Sequence, residues 1–204
     1  FVVYGALISS APIILTNAVT LTPEFLRELK KAGLAGFTMH IDSHQGRPGW
    51  EGRSEAEHNE LREHYADMVA AEGGLYVVFN ATVYPSTYHD IPDVVRWGRE
   101  HFDKVHGLVF ITYRTATTDD STGLSVESHE VDLHELSYST DHFDEDFVTG
   151  PQIVEIIKGT EPTYHPAGYL GGTIRHDSFK WLAGAMIGSR YGVYGSVGKR
   201  AMEL

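Results

Sequence analysis

Between residues 12 and 113, short β-branched or apolar runs alternate with capped amphipathic segments, and this alternation restricts the chain to a parallel α/β sheet. Residues 12–16 read as a short buried strand. Thr22 then offers a helix N-cap, Pro23 suits the first helical position, and Glu24 favours the positive end of the dipole. Phe25, Leu26 and Leu29 form the apolar stripe, and Gly33 suits the C-terminal cap. Residues 37–42 are the next strand. After a glycine-rich loop over 43–53, Ser54 caps a second helix, with Glu57 at the capping-box position. Leu61, Tyr65, Met68 and Val69 give its stripe, and Gly73-Gly74 ends it. A strand over 75–83, a helix over 91–102 with Val94, Val95 and Phe102 inward, and a strand over 105–113 complete the series. The order β-α-β-α-β-α-β implies right-handed crossovers, and both a barrel segment and an open doubly wound sheet satisfy it.

In either arrangement a site forms where the carboxyl ends of the strands converge. All four strands end in polar residues: Thr16-Asn17, His40-Ile41-Asp42, Asn80-Ala81-Thr82 and Thr112-Tyr113-Arg114. Side chains alternate faces along a strand, so His40, Asp42 and, if the strand persists, His44 point the same way. Such a set can bind a divalent metal, because neutral imidazole and carboxylate suit zinc, manganese or iron. The competing reading is a histidine satisfied by the backbone beside a second one in solvent, among twelve histidines in all. Asn80 and Thr82 share a face and can grip a ribose, a carboxylate or a carbonyl, or else satisfy neighbouring backbone groups. Arg114 can pair with a ligand anion or with the acidic stretch that follows it.

That stretch, 115–149, holds ten acidic residues and no Lys or Arg, and so supplies −10 of the net charge of −12. With the remainder near neutral, there is no basic footprint for nucleic acid or anionic lipid. The stretch reads as a long surface loop or linker. Residues 151–158 read as a short helix. Asp177 caps a further helix over 178–187, and 191–197 is a strand candidate. The chain therefore divides into 1–114, 115–149 and 150–204. No apolar run approaches the roughly 18 residues needed to span a bilayer. Residues 1–8 are apolar but lack the basic leader and cleavage pattern of a signal peptide. A soluble cytoplasmic protein is expected.

The run Ile13-Ile14-Leu15-Thr16-Asn17-Ala18, the helix from Leu21 to Gly33, and Phe37-Thr38-Met39-His40-Ile41-Asp42-Ser43 together resemble the middle of a radical S-adenosylmethionine enzyme. Asn80-Ala81-Thr82-Val83 looks like that family's next strand, where N-x-T-V is frequent, and the likeness covers about residues 12–114. The block 164–204 looks like the tail of one branch of the family. The resemblance implies a partial parallel (β/α) barrel with a small C-terminal α/β appendage. It implies that Thr16, Asn17, His40, Asp42, Asn80 and Thr82 line a site for S-adenosylmethionine, and it assigns no metal ligand to this chain. In the intact enzyme a [4Fe–4S] cluster cleaves the cofactor to abstract hydrogen from a substrate, with an electron donor such as ferredoxin or flavodoxin as partner. The chain departs from the family at its defining point: it has no Cys, so the C-x3-C-x2-C loop is missing. Ala6-Leu7 follows Gly5 where the family has G-G-E, and Ala18 stands where it has Gly. The expectation is a fragment whose N-terminal barrel strands are missing from this sequence. Two alternatives stand beside it: a divalent-metal hydrolase using His40, Asp42 and His44 to activate water, and a non-catalytic relative that keeps the fold without a cluster.

Overall fold

A computed structural model of the chain describes residues 11–113, 125–126, 129–130, 148–171, 179–189, 191–198 and 200. Its centre is a four-stranded sheet of β1 (Ile13–Thr16), β2 (Gly36–His40), β3 (Tyr76–Val83) and β4 (Gly107–Thr112), in the order β1-β2-β3-β4. All three pairings are parallel. Each strand lies beside the one before it in the chain. With crossovers of a single hand, this order places every connecting helix on the same face, as in a segment of a barrel. A closed barrel is not present among the described residues.

The connections are α1 (Pro23–Lys31), α2 (Asn59–Glu72) and α3 (Ile91–Glu100). Helix α1 begins where its residue types dictate: the Thr22 side chain accepts from the Phe25 N–H, and Lys30 and Lys31 occupy the negative end. Ser54 and Glu57 exchange the expected reciprocal hydrogen bonds. They close turns, however, and α2 starts only at Asn59. It stops at Gly73, which takes φ +70° and donates its N–H to the Val69 carbonyl.

Strand alternation decides which face meets the helices. Phe37, Met39, Ile41, Val77 and Phe79 share one buried cluster with Leu26 of α1, Leu61, Tyr65, Ala66 and Val69 of α2, and Trp97 of α3. The even-numbered residues of β2 and β3 therefore face away from the helices. That opposite face is open over the first strands: Ile13 is 58% exposed, Leu15 70% and Tyr76 59%. The reading of 12–16 as a buried strand is corrected by this, since β1 is an edge strand covered on one side. Phe25, expected in the core-facing stripe, also stands exposed, leaving Leu26 as the buried residue of α1.

Beyond the sheet, the short strands β5 (Ser125–Val126) and β6 (His129–Glu130) pair antiparallel. Helix α4 (Gly150–Thr160) opens with a capping box between Thr149 and Gln152. It packs on α3: Ile153 and Ile157 join Val83, Ile91 and Val95 in a second buried cluster, and Arg99 pairs with Glu161 at 2.9 Å. The helical layer thus continues past β4. The described part of the expected helix over 178–187, residues 179–187, is not helical. Instead β7 (Gly168–Gly171) pairs antiparallel with β8 (Phe179–Ala183), and β9 (Met186–Ser189) with β10 (Gly192–Ser196). Pairing partners on both sides override the N-cap signal of Asp177, a residue outside those described. The acidic stretch also lies almost wholly outside the described residues. No helix among them is long and apolar enough to cross a membrane.

Candidate functional site

The polar residues of β2 and β3 meet on the face away from the helices. Register pairs His40 with Asn80, and Thr82 stands one row further toward the carboxyl end. The His40 Nε2 lies 2.8 Å from Asp42 Oδ2 and 3.1 Å from Thr82 Oγ1. Asp42 is 2% exposed, and its two oxygens also accept backbone N–H groups: Oδ2 from Thr82 at 3.3 Å and Oδ1 from His44 at 3.0 Å. Burial pushes the Asp42 carboxyl up, but the hydrogen bond and charge of His40 and the two backbone donors outweigh it and hold the group below its ordinary value. Asn80 is 6% exposed, and its Oδ1 has no hydrogen-bond partner.

The loop after β2 holds this arrangement through two buried arginines. Arg47 donates from Nη2 to the carbonyls of His40, at 2.9 Å, and Asn17. Arg62 is fully buried on α2. It donates from Nη2 to the Ile41 carbonyl at 2.8 Å and to Glu55, and from Nη1 to the Glu55 carbonyl and Asn59 Oδ1. Glu55 Oε2 accepts the Ser43 N–H at 2.8 Å. The residues on either side of Asp42 are thus clamped to one buried ion pair.

Of the sequence-derived candidates, the structure brings together His40, Asp42, Asn80 and Thr82. Thr16 falls in register with Met39, on the helix-facing row, and its Oγ1 accepts the Ala18 N–H at 3.0 Å. Asn17 leaves the strand, and its Oδ1 accepts the Val19 N–H at 3.3 Å. Both side chains close the turn after β1, in which Ala18 takes φ +60°. Arg114 lies outside the described residues. The H-x-D-x-H metal set is not assembled. The exposed His44 ring stacks on Tyr84 at 3.8 Å between centroids, Asp42 is occupied by three donors, and no group of three or more His, Asp or Glu among the described residues is gathered as a metal ion requires. The hydrolase reading loses its ligand set on these grounds.

Sequence reasoning missed Arg47, Arg62 and Glu55, which look like solvated loop and helix charges. It also missed the ring series His44–Tyr84–Tyr113, in which Tyr84 and Tyr113 lie 4.7 Å apart across the ends of β3 and β4. A tyrosine directly after each of those strands, at 84 and 113, is the signal that could have found it. No protein-family model, curated protein or solved structure matches the chain.

Proposed function

We propose that the chain binds S-adenosylmethionine at the carboxyl ends of β2 and β3, as part of the partial barrel of a radical S-adenosylmethionine enzyme. The observation that carries this reading is the buried, unpartnered Asn80 Oδ1 beside the His40–Asp42–Thr82 set. A buried acceptor without a donor costs about 1–3 kcal/mol. A ligand that supplies an N–H or O–H there recovers that loss, and S-adenosylmethionine carries an ammonium group, an adenine amine and ribose hydroxyls. The singly wound parallel order and the polar strand ends support the same reading.

The fit differs for the two cofactor groups. For S-adenosylmethionine, Asn80 would accept a donor and Thr82 would offer a hydroxyl, with Asp42 fixing His40 alongside. Once bound, that cofactor supplies the radical precursor for hydrogen abstraction on a substrate. A [4Fe–4S] cluster does not fit this chain, which has no thiolate to hold it. Any cluster, and the ferredoxin- or flavodoxin-type donor that reduces it, would have to be met through thiolates other than those of this sequence. The same absence of cysteine favours a second reading, a binding module that keeps the cofactor site without the chemistry.

Calorimetric titration with S-adenosylmethionine tests the common part of both readings. Asn80→Ala is expected to weaken binding about fivefold to tenfold, the worth of one hydrogen bond of about 1 kcal/mol. Heat-silent mixing with the wild-type chain, or equal affinity in the variant, sinks the site assignment.

A further inference from the structure

We infer that His40 is a proton acceptor, held by Asp42 as the Nε2–H tautomer with the lone pair of Nδ1 left available to a ligand bearing a weakly acidic O–H or N–H. Asp42 fixes the tautomer. Two of its three close contacts are backbone N–H groups, from Thr82 and His44, which can only donate. A carboxylate is an acceptor throughout. The hydrogen between Asp42 Oδ2 and His40 Nε2, 2.8 Å apart, therefore belongs to the imidazole. Thr82 Oγ1, at 3.1 Å from the same nitrogen, is a second acceptor for it. With Nε2 protonated, neutral His40 carries its lone pair on Nδ1, and no hydrogen bond to Nδ1 exists among the described residues.

The ring is the more open member of the pair. Its side chain is 32% exposed, while that of Asp42 is 3% exposed. The buried partner fixes orientation and the half-open ring meets the ligand, which is the division of labour in a carboxylate–imidazole dyad. In the transfer, the Nδ1 lone pair forms the new N–H bond, the ligand heteroatom keeps the electrons of the broken bond, and the imidazolium is stabilised by Asp42, which stays ionised. Asp42 is the positioning residue. The role does not depend on which ligand binds at Asn80, and its test uses the protein alone.

The test has two parts, both on the full chain. In alkaline buffer, long-range 1H–15N NMR on labelled protein should show His40 with a pyrrole-like Nε2 and a pyridine-like Nδ1. The Hε2 resonance should be displaced downfield by its charged acceptor, and assignment comes from its loss in His40→Gln. Asp42→Asn should move that resonance upfield, whereas Thr82→Val, which keeps the carboxylate, should leave the tautomer in place. Diethyl pyrocarbonate, which attacks unprotonated imidazole nitrogen, should modify His40 along with the exposed His89 and His64, as mapped by mass spectrometry. A Nδ1–H tautomer in the wild-type protein overturns the inference, and so does an unmodified His40 beside modified His89 and His64. Absence of S-adenosylmethionine binding would leave both readouts as they are, so the two proposals fail separately.

Discussion

Replacing Arg62 by Met removes a buried cation while keeping most of the volume of its stem. The guanidinium is wholly buried and donates to four groups: the Ile41 carbonyl, the Glu55 carbonyl, Asn59 Oδ1 and the Glu55 carboxylate. After the substitution, Glu55, 3% exposed, keeps only the Ser43 N–H and a share of the surrounding dipoles. Breaking a buried pair from one side costs about 3–5 kcal/mol, because the surviving charge stays buried. That is a large part of the roughly 5–15 kcal/mol that holds a domain folded. Urea unfolding followed by circular dichroism should show the midpoint falling with little change in slope. The double variant Arg62→Met/Glu55→Gln removes the stranded charge, so it should cost less than the two single losses added together, with a coupling of at least about 1 kcal/mol. Because Ile41 and Ser43 bracket Asp42, Arg62→Met should also reduce the downfield displacement of the His40 Hε2 signal. A loss below about 1 kcal/mol in Arg62→Met, or strict additivity in the double variant, would refute the idea that this pair clamps the site.

Asp42→Asn should destabilise the protein by about 1–3 kcal/mol near neutral pH, since one of three donors must then face an amide NH2. The folded carboxyl sits below its ordinary value, so its stabilisation is present above the unfolded value of about 4 and is lost as pH falls through the folded value. The gap between wild type and Asp42→Asn should therefore narrow in acid, and a gap that is the same at neutral pH and near pH 3 contradicts the assignment. Gly36→Ala should cost about 1–3 kcal/mol, because a Cβ there would lie 2.5 Å from the Tyr76 carbonyl oxygen and must push β2 and β3 apart. An unchanged melting temperature would show that the strands yield freely. Tyr65→Phe removes the 2.8 Å bond from the phenol to the Ala18 carbonyl and should cost about 1 kcal/mol in the same urea assay. A loss indistinguishable from zero would mean that water satisfies that carbonyl equally well.

The sequence made some parts legible because their cause is local. Thr22-Pro23-Glu24 names a helix start through groups that act within one turn, and α1 begins there. The period of two in residues 37–42 and 75–83 separates Met39 and Phe79 from His40 and Asn80, and the sheet keeps that separation. Other parts depend on partners brought from a distance. Thr16-Asn17 marks the end of the strand, and Asn suits a turn, but the residue types alone do not say that both side chains turn back on Ala18 and Val19 rather than toward a ligand. Residues 178–187 carry a plausible cap and apolar spacing, but β7 and β10 offer pairings that a single segment cannot reveal. Buried arginines are the hardest case. Arg47 stands between Gly46 and Pro48 and Arg62 is close to Glu60 and Glu63, contexts that usually mean solvent, and only the tertiary fold delivers the carbonyls they serve.

Those two arginines also explain how an anion can sit beneath the site. The carbonyls of Asn17, His40 and Ile41 lie at the carboxyl ends of β1 and β2, where a parallel sheet leaves acceptors without a neighbour. Guanidinium groups fill that need and place positive charge under Asp42; burial lowers the pKa of both arginines, and the Asp42 charge offsets a part of that. The result is a carboxylate held by His40 and two backbone N–H groups, with two buried cations serving the strand ends around it. His40 is then the member of the His40–Asp42 pair that is half-exposed, with its buried partner beneath it. Exchanging Arg47 for a neutral residue should free the carbonyls of Asn17 and His40 and unbalance Asp42 from beneath, while leaving the His40 side chain unsubstituted. The signature of that change is a loosened turn at Ala18 together with a weakened His40 Hε2 signal, in a variant whose ring remains in place.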